Sequence, residues 1–148
     1  MTSPGAITRP PRRGIALPRR VAARLAVAAA GLIARLSPAR LRAVLTVLRR
    51  GARPATYAQA KKARDAVLAV SLPCAGPQGC LPRSLATALL CRLTGTWPTW
   101  CTGARKKPPF GAHAWVEADG RLVDEHLPAD YFIRLIVVPP APSRRSAG

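Results

Sequence analysis

The sequence predicts an α+β domain, with helices in its N-terminal half and a small antiparallel sheet after them. A change of texture and a turn carry that reading. Apolar residues recur at helical spacing as far as Leu93, whereas beyond Gly95 short runs rich in aromatic and β-branched residues take over. Asp119-Gly120 separates two of those runs as a hairpin turn does. Helices followed by hairpin-connected strands give segregated α and β parts. At 148 residues the chain has one domain's length, enough to bury about two thirds of its unfolded surface.

Each element has its own signal. Val21, Leu25, Ala28, Leu32 and Leu36 stripe a first helix, which reads as a core helix. Arg24 and Arg35 leave it short of the roughly 20 apolar residues that a bilayer crossing needs. Ser37-Pro38 offers an N-cap and a first helical position to a second helix, which runs to about Arg50 and stops at Gly51. Thr56 caps a third helix through Val70, with Tyr57, Ala60, Ala63, Val67 and Val70 on one face and Lys61, Lys62 and Arg64 on the other. A Pro- and Gly-rich interruption from Pro73 to Gly79 leads into a fourth helix, striped by Leu85, Leu89 and Leu93. Cys80 sits at the mouth of that helix, with Pro82 in its first turn. The strands are expected at Trp97 to Thr102, Ala112 to Ala118, Arg121 to Glu125 and Tyr131 to Val138. These elements form a single domain over residues 20–138, flanked by a disordered basic arm at 1–19 and a disordered tail at 139–148.

A formal charge of +18 suggests nucleic acid, an anionic membrane or an acidic polypeptide as partner. Abundant Arg, Ala and Pro together are also the bias that a GC-rich genome alone would produce, so the charge by itself does not decide between function and mutational drift. No nucleic-acid-binding motif is visible, and the aromatic residues gather beside His113 rather than among the basic residues. The acidic residues are few, and Glu117, Asp119, Asp124, Glu125 and Asp130 all follow His113 within one short stretch. The arm lacks the apolar core of a signal peptide, and four cysteines without one argue against a disulfide framework. A reducing, cytoplasmic interior is expected. The cysteine spacings are not those of zinc sites, and His113 and His126 are too far apart for a helical ligand pair, so no metal is expected.

The chemistry resides in three residues taken together. A thiol attacks at neutral pH only as thiolate, which a helix N-terminus and a neighbouring imidazolium favour. Cys80 has the helix mouth; Cys74, Cys91 and Cys101 read as inert small hydrophobes. His113 follows on a strand, sharing a face with Trp115 and Glu117, and a carboxylate comes on the next strand. Helix-mouth Cys, strand His and later acid is the order of the triad in papain-like and transglutaminase-like folds. The hairpin register bears on the acid. A two-residue Asp119-Gly120 turn pairs Ala118 with Arg121 and brings Asp124 diagonal to His113. A three-residue turn bulged at Gly120 puts Glu125 opposite His113 instead. Gln78, two residues before Cys80, is a candidate oxyanion donor beside the Cys80 amide.

Three blocks give a resemblance: Cys80-Leu81-Pro82-Arg83-Ser84-Leu85-Ala86, Trp97-Pro98-Thr99-Trp100-Cys101-Thr102-Gly103, and Pro109-Phe110 followed by Ala112-His113-Ala114-Trp115-Val116-Glu117. Together they resemble the lasso-peptide leader peptidases, the separately encoded protease half of the split B protein. The last block alone is shared by many transglutaminase-like proteins; its conjunction with the first is what is specific. The resemblance implies a transglutaminase-like fold, Cys80 as nucleophile, His113 as base and Glu125 as the acid, with Asp124 the alternative. It further implies leader removal from a precursor peptide with no cofactor, and as partners a separate leader-recognition protein and a lasso cyclase. No nucleic acid and no membrane insertion enter this reading. An amidase or acyltransferase acting on another amide is the related alternative, and a basic nucleic-acid-binding module the unrelated one.

Overall fold

The computed structural model describes residues 9–11 and 13–143. The expected disordered arm at residues 1–8 and 12, and the tail from 144 onward, lie outside them. The described chain forms helices α1 (Leu17–Ile33), α2 (Pro38–Leu48), α3 (Tyr57–Val70), α4 (Leu72–Ala75) and α5 (Cys80–Leu93). Its strands are β1 (Arg53–Pro54), β2 (Thr96–Trp97), β3 (Thr99–Arg105), β4 (Ala112–Ala118), β5 (Arg121–Leu122) and β6 (Phe132–Val138). β1 and β2 pair in parallel, and the remaining four strands form an antiparallel sheet in the order β5-β4-β3-β6. The α+β architecture is the one read from the sequence. α1 packs on α5 and α3, and α5 packs on β4, so the central helix is covered on both sides.

α1 departs from expectation in two ways. It starts at Leu17 rather than Val21, with a Pro in its first turn, where the missing N–H costs nothing; Leu17 to Arg19 are therefore helix and not arm. Its buried face is also not the expected one. Ala23, Ala26 and Ala30 are buried, while Leu17, Val21, Leu25 and Leu32 are 64, 50, 63 and 67% exposed. Alanine has no side chain beyond Cβ, so an alanine face lets α1 lie close against α5 and α3. The larger aliphatic residues are left outward.

α3 begins with a capping box. The Gln59 N–H donates to Thr56 Oγ1 at 3.2 Å and the Thr56 N–H to Gln59 Oε1 at 2.9 Å, satisfying two amides that a helix start leaves free. α4 occupies part of the interruption read as loop. Ser71 Oγ accepts from the Cys74 N–H at 3.3 Å and starts this single turn, which ends at Gly76. At Ser37 the helix boundary is as expected, but the side chain makes no capping bond.

Indoles tie the elements together, one from strand to strand and one from the sheet to α5. Trp97, Trp100 and Trp115 are all buried. Trp97 Nε1 donates to Val138 O at 3.1 Å, and Trp100 Nε1 to Ser84 Oγ on α5 at 3.0 Å; a buried indole without a partner would lose that hydrogen bond outright. Among the described residues no helix is long and apolar enough to cross a membrane.

Candidate active site

Cys80 is the first residue of α5. Gly79, its N-cap, is a glycine for lack of room: a Cβ there would stand 2.3 Å from Pro73 O and 2.7 Å from Cys74 O. The loop before the helix is thus folded directly onto α4. Arg83, one turn further on and buried, donates from Nη1 to Cys74 O at 2.8 Å and ties the same two segments together.

His113 lies on β4 opposite Gly103 of β3 and is 8% exposed. Its ring stacks on Phe132 of β6 and on Trp115, with centroids 5.2 and 5.8 Å away and planes 16° apart in both pairs. Trp115 is itself held, since its Nε1 donates to Glu117 Oε1 at 3.0 Å, and Arg134 Nη2 donates to the same oxygen at 2.6 Å. Glu117, on the face predicted for it, therefore serves the aromatic wall and not the imidazole.

The acid at His113 is Glu125. Its Oε2 lies 2.9 Å from His113 Nε2, and both side chains are about nine-tenths buried, at 11 and 9% exposure. Asp124 turns the other way, toward α3. It accepts from Tyr57 Oη at 3.1 Å and from Lys61 Nζ at 2.7 Å, with Arg64 Nη1 at 3.9 Å.

The hairpin pairs Ala118 with Arg121, with Asp119 and Gly120 at φ 52° and 72°, which is the two-residue turn. That register was expected to bring Asp124 to His113, and it does not. Both sequence-level registers carried the ladder on to residue 125, but β5 ends at Leu122 and the Val123 N–H makes one last bond to Val116 O. Asp124 then takes φ 50°, a left-handed conformation that Asp tolerates, and the alternation of faces is broken there. Glu125 reaches His113 because the strand stops.

The electrostatics single out one thiol. A hydrogen bond with His113 lowers the pKa of Cys80; burial opposes this, and the Ala114 backbone bond and the charges of His113 and Arg83 reinforce it. Burial raises Cys74, pushes Cys91 up to about 11 and pushes Cys101 up to about 12. For His113, burial pulls downward, but hydrogen bonds to Cys80 and Glu125 and their charges more than reverse it and raise the imidazole from 6.5 to about 9. Since Nε2 is engaged by Glu125, Nδ1 is the nitrogen left for the thiol. The arrangement favours a thiolate beside an imidazolium, the ready form of a nucleophilic pair.

Sequence reasoning missed Arg83 and Phe132 as parts of the site. Arg83 stood in the quoted Cys-Leu-Pro-Arg block, and its spacing of three from Cys80 places it on the same face of the helix. Nothing in the sequence aimed Phe132 at His113. Gln78 is exposed in the loop between α4 and α5. A cavity of about 560 Å³ opens on the acid side of the site, between Arg9, Lys61, Arg64, Asp65, Glu125 and His126. Among the described residues no three of His, Cys, Asp and Glu converge to hold a metal ion.

Among the curated proteins and the solved structures, none matches the chain. A family model does. Members of the superfamily it describes are typically cysteine peptidases or transglutaminases, enzymes that pass an acyl group through a cysteine. The transglutaminase-like superfamily model matches residues 23–137, from within α1 almost to the end of β6, and the chain belongs to that superfamily.

Proposed function

We propose that the protein is a cysteine peptidase that removes the leader from a lasso-peptide precursor, with Cys80 as nucleophile, His113 as base and Glu125 as orienting acid. The observation that carries the chemistry is the helix-mouth thiol whose pKa is lowered by an imidazole that Glu125 holds from behind. What favours a lasso leader as substrate is the conjunction of the Cys80 to Ala86 block with the Ala112 to Glu117 block.

In this reading His113 takes the Cys80 proton, and the thiolate attacks the carbonyl carbon of the leader's last peptide bond. The backbone N–H of Cys80, with Gln78 as the second donor, receives the developing oxyanion. The imidazolium returns the proton to the departing nitrogen, the C–N bond breaks, and the core leaves with a free amine. Water, deprotonated by His113, then opens the thioester and frees the leader as a carboxylate. Glu125 stays bonded to the imidazole throughout, orienting it and stabilising the imidazolium. A separate recognition protein presents the leader, and a lasso cyclase takes the core.

The experiment is to incubate the chain with precursor and recognition protein and to weigh the products. Two fragments that sum to the precursor plus one water, formed by the native chain and absent with Cys80→Ala, are expected. The superfamily equally accommodates an amidase or acyltransferase. Capture of an added primary amine by the acyl fragment, with no hydrolysed leader, would establish that alternative.

A further inference from the structure

The outward stripe of α1 stands apart from the catalytic chemistry. Leu17, Val21, Leu25 and Leu32 are 50 to 67% exposed, and Ala28 completes the row between them. Repeats of three and four residues align them along one side of the helix, opposite buried Ala23, Ala26 and Ala30. From Leu17 to Leu32 the stripe is about 22 Å long at 1.5 Å per residue. Such a contiguous aliphatic surface marks an interaction site.

The charge of this part of the chain identifies the occupant. From Leu17 to Arg53 the chain has nine arginines and no acidic residue. Arg24, Arg35, Arg40, Arg42, Arg50 and Arg53 are exposed. None of the nine forms an ion pair with a carboxylate among the described residues. The acids all lie further along, from Asp65 onward. A second copy would oppose arginines to arginines, and a nucleic acid has no use for an aliphatic row. An apolar stripe one helix wide, with unneutralised Arg24 beside it on α1 and Arg35 just past its end, is the make-up of a helix that lies in the headgroup region of an anionic bilayer.

We propose that α1 docks the protein peripherally on an anionic lipid surface, with Leu17, Val21, Leu25 and Leu32 immersed and Arg24 and Arg35 on the headgroups. Because α1 is packed on α5 and α3 by its opposite face, docking leaves the fold and the Cys80 thiol unchanged.

The test is sedimentation of the full chain with vesicles of phosphatidylcholine containing phosphatidylglycerol, against vesicles of phosphatidylcholine alone, at low and high salt. Binding to the anionic vesicles only, weakened by salt and reduced about tenfold or more by Leu25→Asp with Leu32→Asp, is expected. The rate of Cys80 alkylation by iodoacetamide should stay at its native value, which shows that the variant is folded. As a gain-of-signal check, Leu25→Trp should add a component quenched by brominated lipid. No sedimentation with anionic vesicles at low salt, undiminished binding of the double variant, or an unquenched Trp would each overturn the proposal. So would the native chain running as a dimer that the double variant dissolves, or an acidic protein partner that competes fully with the vesicles for the stripe.

Discussion

Asp124 and Glu125 are neighbours in the chain that serve opposite sides of it: one carboxylate is bound to Tyr57 and Lys61 of α3, the other to His113 of β4. Their substitutions should therefore separate. Glu125→Gln keeps the size but removes the charge behind the imidazole, and the rate of precursor cleavage should fall by about 10²- to 10⁴-fold. Asp124→Asn should leave that rate within a few-fold of native and lower stability by about 1 kcal/mol, seen in denaturant unfolding. Equal rate losses in both variants would contradict the division of labour.

The pH dependence follows from the same pair. Cys80 ionises below its ordinary 9.0, and His113 holds its proton up to about 9. Turnover should rise with pH as the thiolate forms and fall again near pH 9 as the imidazolium is lost. Glu125→Gln withdraws part of what raises His113, so its alkaline limb should move to lower pH. The folded pKa of His113 lies above the unfolded value of 6.5, so its contribution to stability is complete below about pH 6.5 and disappears as pH rises through about 9. The stability difference between native protein and His113→Gln, followed by urea unfolding across that window, should shrink accordingly.

Gly79→Ala tests the seat of the Cys80 thiol. The added methyl meets backbone carbonyls of Pro73 and Cys74, which cannot rotate away as a side-chain end would. A loss of about 1–3 kcal/mol is expected, together with slower alkylation of Cys80 as α5 is pushed off α4. Gly120→Ala is the control, since its Cβ meets nothing within 4 Å and its strain is confined to a positive φ. It should cost about 1 kcal/mol and leave the thiol's reactivity unchanged.

Arg83 should act on Cys80 without touching substrate. Arg83→Met removes both the bond to Cys74 O and a positive charge that favours the thiolate. The pH midpoint of Cys80 alkylation should move upward, with a loss of about 1.5–3 kcal/mol in stability. Arg83→Lys keeps the charge and should restore most of the midpoint but less of the stability, because the guanidinium's reach to Cys74 O is lost. A midpoint unmoved in Arg83→Met would leave the residue with a packing role alone.

How much of this was legible in the sequence varied with the range of the forces involved. The start of α3 was legible at Thr56 because capping acts within one turn, whereas Arg64, expected on the polar face with Lys61 and Lys62, is buried. The Asp119-Gly120 turn was legible for the same local reason. The face of α1 was not, because an apolar stripe shows that a helix is amphipathic but cannot say whether Leu25 or Ala26 finds the closer neighbour. The path of Glu125 was hidden too: the left-handed φ of Asp124 depends on Tyr57 and Lys61, more than sixty residues away in sequence. Cys80 and His113 could be named, but the packing of Phe132 on His113 arises only when β6 joins the far side of β3.

The hydrogen bond from Trp100 to Ser84 has a kinetic meaning beyond its contribution to packing. Thiol and imidazole arrive on separate layers, one at the start of α5 and the other on β4, so neither layer alone holds a working pair. Ser84 stands one turn after Cys80, and Trp100 stands on the strand that pairs with β4. A sliding of helix against sheet by even an ångström would have to break this bond in a dry interior, where no water waits to replace it. The opening that frees Trp100 also separates sulfur from nitrogen, so precursor cleavage should cease as the emission of the three buried indoles begins to shift, well before the helices themselves unwind.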